Sequence, residues 1–239
     1  MATAVITGAG QGLGRADALR LSADGFDIVC LDIDGDAAAE TAAMVGGRSF
    51  AVDVTDRDAV FAVAAQVGEC TALVNNAGIW NFPSILDVDE AQMQSVIDVN
   101  VKGIVWCTQA FVPLLRAAGG GSIVNMSSGA AWTNSPMIGI YPATKAAVES
   151  LTRTLAMELG PDGIRTNAIG PGLIVSEGTS ANYEGERAAQ RAQGVPLGRV
   201  GAPADIADVV SFLCGNDSRY VNGQVIYVDG GITAGTMKR

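Results

Sequence analysis

Short, continuously apolar runs alternate along this chain with segments of helical period, and no other feature restricts its fold as much. The clearest runs lie at 4–6, 28–31, 50–52, 72–74, 122–124 and 225–228, with a weaker one at 164–169. A strand with one wet face alternates polar and apolar residues, whereas a strand covered on both faces reads as an unbroken apolar run. Between these runs the periodicity predicts helices near 12–24, 36–45, 56–67, 89–116, 140–160 and 203–214. Strands joined through helices run parallel, so the chain is predicted to be α/β: a doubly wound, seven-stranded parallel sheet with helices on both faces. No linker, low-complexity tract or repeat divides the sequence, which predicts one domain over residues 1–239. Gly119-Gly120-Gly121 is short enough to close a helix and lead into the next strand. The stretch 171–201 shows no obvious element and is expected to form a substrate loop or lid.

Charge and residue content narrow the chemistry. Fifteen Lys and Arg stand against 25 Asp and Glu, a net charge of -10, which repels nucleic acid and anionic membrane surfaces. The sequence contains no histidine, so Ser-His-Asp and Cys-His catalysis and imidazole-ligated zinc are excluded. Cys30, Cys70, Cys107 and Cys214 are scattered singly and read as reduced core thiols. A strand beginning at Thr3 leaves no room for a cleavable leader, and no apolar stretch reaches the roughly 20 residues of a membrane span. A cytoplasmic protein is expected.

The first strand runs into a glycine-rich turn, Thr7-Gly8-Ala9-Gly10-Gln11-Gly12-Leu13-Gly14, which opens a helix whose apolar face is expected to include Leu13, Ala16 and Leu19. The spacing is T-G-x-x-x-G-x-G; G-x-G-x-x-G fails because Leu13 stands where the third glycine would be. Such a turn lets backbone approach a phosphate, and the helix start adds N–H donors and a positive dipole end. A tight strand-to-helix connection alone would also use these glycines. Asp32 closes the second strand, placed to accept hydrogen bonds from an adenosine ribose diol. It could instead cap the following helix, a role equally open to Asp34. A carboxylate at Asp32 repels a 2′-phosphate and the flanking Gln11 and Ile33 are neutral, which favours NAD over NADP; Arg15 is the nearest cation.

After the fifth strand comes Ser127-Ser128, followed by Tyr141 and, one helical turn later, Lys145. A phenol has a pKa of about 10, and an adjacent ammonium favours its ionised form, so the pair can move a proton at a substrate hydroxyl. Alternation sends Ser127 and Ser128 to opposite sides, and Ser128 is the serine expected at the substrate oxygen. Pro142 has no N–H and fits only a first helical turn, so that helix should begin near 139–141.

Together these motifs resemble the short-chain dehydrogenases/reductases. The resemblance spans essentially the whole chain, since Asp53-Val54, Asn75-Asn76-Ala77-Gly78, Asn100, Pro171-Gly172 and Pro196-Leu197-Gly198-Arg199 follow in that family's order. It implies a Rossmann-type fold and an NAD-dependent oxidoreductase with Asn100, Ser128, Tyr141 and Lys145 as the catalytic set. Lys145 is implied to hold the nicotinamide ribose as well, and Asn100 to support a proton-carrying water. The implied cofactor contacts are Gly8, Gln11, Gly12, Leu13 and Gly14, Asp32 and Ile33, and Asp53 and Val54 at the adenine. Asn76, Ala77 and Gly78 are implied beneath the cofactor, and Pro171, Gly172, Ile174 and Ser176 around the nicotinamide amide. Asn75-Asn76-Ala77-Gly78 also reads as a capped turn, and the two readings are compatible.

Around the expected pocket, 79–86 and 129–140 carry no charge and contribute Trp80, Phe82, Trp132, Met137 and Ile138. These, or their packing in the core or a subunit contact, account for a neutral, mostly apolar surface, and the implied substrate is a secondary alcohol or ketone, such as a cyclic or aromatic one. Tyr183 is expected to cover it, while Glu177, Glu184 and Glu186 are expected to face solvent. A 3-oxoacyl thioester reductase is the alternative enzyme, and a non-catalytic NAD-sensing protein the alternative of another class. The resemblance also implies a homotetramer built on the long helices near 89–116 and 140–160 and on the C-terminal strand region, and small residues on those helices such as Ala146, Ala147 and Ala156 permit close approach.

Overall fold

The computed structural model describes residues 2–80, 83–134, 136–183 and 186–235. The strands are β1 (Thr3–Thr7), β2 (Asp27–Asp32), β3 (Arg48–Ala51), β4 (Ala72–Asn75), β5 (Gly121–Met126), β6 (Ile164–Pro171) and β7 (Val225–Val228). They form one seven-stranded parallel sheet in the order β3-β2-β1-β4-β5-β6-β7. The helices are α1 (Gly12–Ala23), α2 (Gly35–Val45), α3 (Arg57–Val67), α4 (Glu90–Ile97), α5 (Gly103–Ala117), α6 (Ala130–Thr133), α7 (Tyr141–Leu159), α8 (Glu186–Gln193) and α9 (Pro203–Cys214).

Alternation along the strands divides the core in two. Val5, Val29, Leu31, Leu73 and Ile123 point to one face, where Val60, Val63, Phe111 and Leu115 of α3 and α5 cover them. Ala4, Ile6, Cys30, Val74 and Val124 point to the other, under Ala18, Leu21, Ala38, Ile206, Val210 and Leu213 of α1, α2 and α9. Because both faces are covered, the strands lack polar alternation, as the sequence pattern implied. All four cysteines are free; Cys30, Cys70 and Cys107 are buried, and burial pushes their thiols up to about 11, 12 and 12.

Several local expectations change. The buried face of α1 is Gly14, Asp17, Ala18 and Leu21, while Leu19 is exposed, because a buried acid interrupts the apolar period that Leu13, Ala16 and Leu19 suggested. The helix expected over 89–116 is broken by a π-helical turn at Asp98–Lys102, which centres on Asn100. Two short helices, α6 and α8, lie in stretches that showed no helical period. Ala156 is buried beside Gly223 of its own chain, while Ala146 is exposed. No helix among the described residues is long and apolar enough to cross a membrane.

Strand order reverses between β1 and β4, where the chain has gone outward to β2 and β3 and returns. A crevice opens at the carboxyl ends of strands at such a switch point, and it is the general ligand position of open α/β sheets. The glycine turn follows β1 and Asn76–Gly78 follow β4, so both motifs reach this crevice through connectivity alone.

Candidate active site

The glycine turn is held by the strand beside it. Thr7 Oγ1 accepts from the N–H groups of Asn76 and Ala77 at 3.0 Å each, and Asn76 Nδ2 donates to the carbonyls of Thr7 and Gly8 at 3.0 and 2.9 Å. A Cβ on Gly14 would stand 2.1 Å from the Gly8 carbonyl oxygen, so the turn closes only with glycine there. Gly12 has φ +58°, the left-handed region, and begins α1; Gln11 before it offers no side-chain cap. An acid oxygen does reach this helix start: Oε2 of Glu177 accepts from the Gly12 N–H at 3.1 Å, and Oε1 pairs with Arg15 Nη1 at 3.3 Å. The glycine-lined turn, the amides of the helix start and the adjacent guanidinium fit the pyrophosphate of a dinucleotide. Glu177 faces solvent as expected, with more than half of its side chain exposed, and from there its carboxylate is engaged by these donors. Glu184 and the side chain of Glu186 lie outside the described residues.

Asp32 lies beside the same turn. Its Oδ2 accepts from the Gly10 N–H at 2.8 Å and its Oδ1 from the Asp34 N–H at 3.0 Å, while Asp34, not Asp32, caps α2 through the amides of Asp36 and Ala37. A carboxylate has about four lone-pair positions, so Asp32 retains acceptors for a ribose diol. Ile33 beside it is exposed. Arg15 is engaged by the Gly10 carbonyl, Thr41, Glu40 and Glu177 together. Asp53 accepts from the backbone and hydroxyl of Thr55, at 2.8 Å each, and Val54 packs under Gly103 at the start of α5.

Ser128, Tyr141, Lys145 and Asn100 arrive from three places. Ser128 follows β5, where Gly129 N–H is tied to the Pro171 carbonyl of β6 at 2.8 Å. Tyr141 and Lys145 occupy the first turns of α7, with Pro142 in the opening turn as its chemistry requires. Lys145 is buried; its Nζ donates to the Met126 carbonyl at 2.8 Å and lies 5.8 Å from the centroid of the Tyr141 ring. Burial lowers the lysine pKa to about 8, which leaves it an ammonium at neutral pH. Burial also raises the Tyr141 phenol, and a hydrogen bond with Ser128 draws it partly back. The expectation that Lys145 lowers this phenol below its ordinary value is therefore outweighed by burial of the ring.

Asn100 has a structural task that its sequence position did not reveal. Its Oδ1 accepts from the Ile79 N–H at 2.9 Å, and its Nδ2 donates to the Ile79 carbonyl at 3.0 Å and to Thr144 Oγ1 at 3.2 Å. It thus joins the loop after β4 to α7, and π turns of this kind concentrate at functional sites. A Cβ at Gly78 would lie 3.3 Å from both Asn100 Oδ1 and Lys145 Nζ, so Gly78 lines the same spot.

The sequence reading missed two supports. Thr7, although part of the glycine motif, locks two loops together. Ser127 donates to Glu149 at 2.9 Å, and Tyr227 of β7 donates to the same oxygen at 2.7 Å. No spacing could have shown this triad, because its members come from three elements.

On the substrate side, Trp80 is half-exposed and its ring lies against Gly178. Trp132 of α6 leans on Tyr227, with ring centroids 6.3 Å apart, and Met137 is exposed. Tyr183 is half-buried, with the Arg191 guanidinium 4.9 Å from its ring centroid. Phe82 lies outside the described residues. Ile174 is buried and bridges to Gly201; Ser176 stands near Gly12, and its N–H donates to Thr179 Oγ1 at 2.8 Å. A Cβ on Gly172 would fall 2.6 Å from the Asp229 backbone, which fixes the turn after Pro171.

Known proteins resemble this chain over nearly its whole length. Residues 8–233 match the family described as enoyl-(acyl carrier protein) reductase. The 3-oxoacyl-[acyl-carrier-protein] reductase of Staphylococcus aureus is 38% identical over 241 residues, covering 96% of this chain and 97% of that protein. A short-chain type dehydrogenase/reductase from Mycobacterium ulcerans superposes with TM-score 0.92 at 32% identity, covering 98% of this chain and 90% of that one. An Agrobacterium tumefaciens structure assigned as a 2-deoxy-D-gluconate 3-dehydrogenase, with NADP bound, superposes with TM-score 0.89 at 35% identity over 98% and 97%.

Proposed function

This chain belongs to the short-chain dehydrogenase/reductase family, and from that premise we propose that it is an NAD-dependent enzyme interconverting a neutral, largely apolar secondary alcohol and its ketone. The observation that carries the reading is the meeting of Ser128, Tyr141 and Lys145 beside Gly78, with Asp32 and the glycine turn at the other end of one crevice. The family uses a nicotinamide cofactor, which accepts or supplies the hydride when bound. Tyr141 moves the proton at the substrate oxygen, and Ser128 donates a hydrogen bond to that oxygen. Lys145 keeps a positive charge beneath them and offers donors to the nicotinamide ribose. Asn100 holds the Ile79 loop in place and, through its π turn, supports a water on the proton's route. Trp80, Trp132 and Tyr183 form the apolar surround that suits a cyclic or aromatic substrate.

Lys145 yields a test whose sign follows from its environment. Its ammonium is present below pH about 8 and is lost above it. NAD affinity measured by titration calorimetry should therefore weaken as pH rises through 8. Lys145→Ala should bind NAD roughly tenfold more weakly at pH 7, lose that pH limb and turn over more slowly still. An effect on rate alone would remove the ribose role.

The preference for NAD rests on Asp32, on the exposed neutral Ile33, and on an Arg15 already held by Glu40 and Glu177. The kcat/KM ratio of NAD to NADP should exceed one. It should fall at least about tenfold in Asp32→Ala with Ile33→Arg, the change expected from roughly 1.4 kcal/mol, because the repulsion is gone and a guanidinium meets the phosphate. A parent protein that prefers NADP overturns the assignment of Asp32.

A second reading, 3-oxoacyl thioester reduction, is favoured by the Staphylococcus relative. The net charge of -10 and the uncharged segments 79–86 and 129–140 disfavour docking of an acidic carrier. Turnover of a 3-oxoacyl thioester against a panel of cyclic and aromatic secondary alcohols separates the two. We assign residues 1–239 to one catalytic domain, with 171–201 as its substrate loop, acting in the cytoplasm as a homotetramer; equilibrium sedimentation tests the assembly.

A further inference from the structure

Glu177 lies on the loop between β6 and α8, yet its carboxylate spans the start of α1. One oxygen takes the Gly12 N–H at 3.1 Å and the other pairs with Arg15 at 3.3 Å. The turn that carries it is held independently of that contact. Thr179 Oγ1 accepts from the Ser176 N–H at 2.8 Å and donates to the Ile174 carbonyl at 2.8 Å, and the Thr179 N–H returns to the Ser176 carbonyl at 3.0 Å. Gly178, next along, rests against the Trp80 ring. The loop therefore presents an acid to the glycine turn from one side and leans on the expected substrate wall from the other.

We propose that Glu177 is a built-in competitor for the cofactor's pyrophosphate, an autoinhibitory contact that the cofactor displaces on entry while the 174–179 turn keeps its own hydrogen bonds. This rests on the dinucleotide reading of the glycine turn. The Gly12 amide has one proton to donate, and a pyrophosphate oxygen taking it displaces the carboxylate. Two anions also cannot share so small a space without repulsion, so the exchange goes to completion rather than adding a third partner. The population of molecules with Glu177 engaged lowers the apparent affinity for any ligand that needs that amide, and leaves alone a ligand that does not.

Calorimetric titration of the full chain with ADP, NAD and adenosine tests this, because adenosine lacks the phosphates. Glu177→Gln should bind ADP and NAD about five- to tenfold more tightly than the parent and adenosine equally well. Glu177→Asp keeps the charge on a stem one methylene shorter and should also tighten ADP binding, because the acid no longer reaches both partners. Tightening with Gln but not with Asp would assign the effect to charge alone and overturn the proposal. Unchanged or weaker ADP binding by both variants, with the parent binding normally, would overturn it while leaving the cofactor site intact. A parent that binds neither ADP nor NAD would overturn the dinucleotide reading, and the proposal with it.

Discussion

Tyr141→Phe is expected to lower kcat by on the order of a thousandfold while changing NAD affinity by less than about threefold, since positioned acid–base groups contribute roughly 10²–10⁴ in rate. The substitution removes one hydroxyl and keeps the ring that packs at the start of α7. The phenol is raised above its ordinary value by burial, so at neutral pH it is the protonated, proton-donating form. Ketone reduction should accordingly hold its rate through neutral pH. Alcohol oxidation needs the ionised form and should accelerate as pH rises toward the phenol's pKa. Steady-state rates in both directions, with calorimetric NAD binding, check all three statements. Retention of more than about a tenth of parental kcat by the Phe variant would remove Tyr141 from the chemistry.

Asp17→Leu is expected to raise thermal stability at pH 7 by about 3–10 °C, the range for relieving roughly 1–3 kcal/mol of unpaired polar burial in a chain of this size. Asp17 is fully buried in α1 where that helix packs on α9, and neither carboxyl oxygen has a hydrogen-bond partner among the described residues. Burial raises its pKa well above the ordinary carboxylate value. The sign of the pH dependence follows. Below the unfolded-state pKa both states are protonated and no penalty arises. As pH rises above it the unfolded chain ionises while the folded one stays neutral, so stability falls by about 1.4 kcal/mol per pH unit until the folded pKa is reached. Denaturation of the parent from pH 4 to 8 should show this loss, and Asp17→Asn and Asp17→Leu should both flatten it. Variants melting below the parent at every pH would show that Asp17 has a partner that stabilises it.

Asp17 also shows why the periodic signal misled where it did. An acid on the buried stripe hid the true face of α1, so Leu13, Ala16 and Leu19 made a competing face, and Leu19 proved exposed. The break at Asn100 was hidden for a different reason. A π turn differs from its neighbours by one residue of winding, and the hydrogen bonds that stabilise it run to Ile79 and Thr144, distant in sequence. The helix α8 is polar overall and its only apolar residues are Ala188, Ala189 and Ala192, too small and too few to stand out as an apolar period.

What the sequence determined by itself are the features carried by local chemistry and by order. Continuous apolar runs required a sheet covered on both sides. Glycines at 8, 12 and 14 required a tight turn after β1, and Tyr141 and Lys145 were bound to share a helix face by their spacing alone. The tertiary structure decided what depends on contacts between distant elements. It joined Ser127, Glu149 and Tyr227 and held Asn76 against the glycine turn. It engaged Arg15 with Gly10, Thr41, Glu40 and Glu177, and set the exposed Glu177 against an amide 165 residues away in sequence. It also half-buried Tyr141, and the loss of solvent around its hydroxyl raises the phenol. Spacing fixes which groups can meet along one element, but solvent exclusion and hydrogen-bond partners belong to the packed whole, and they set the charge each group carries.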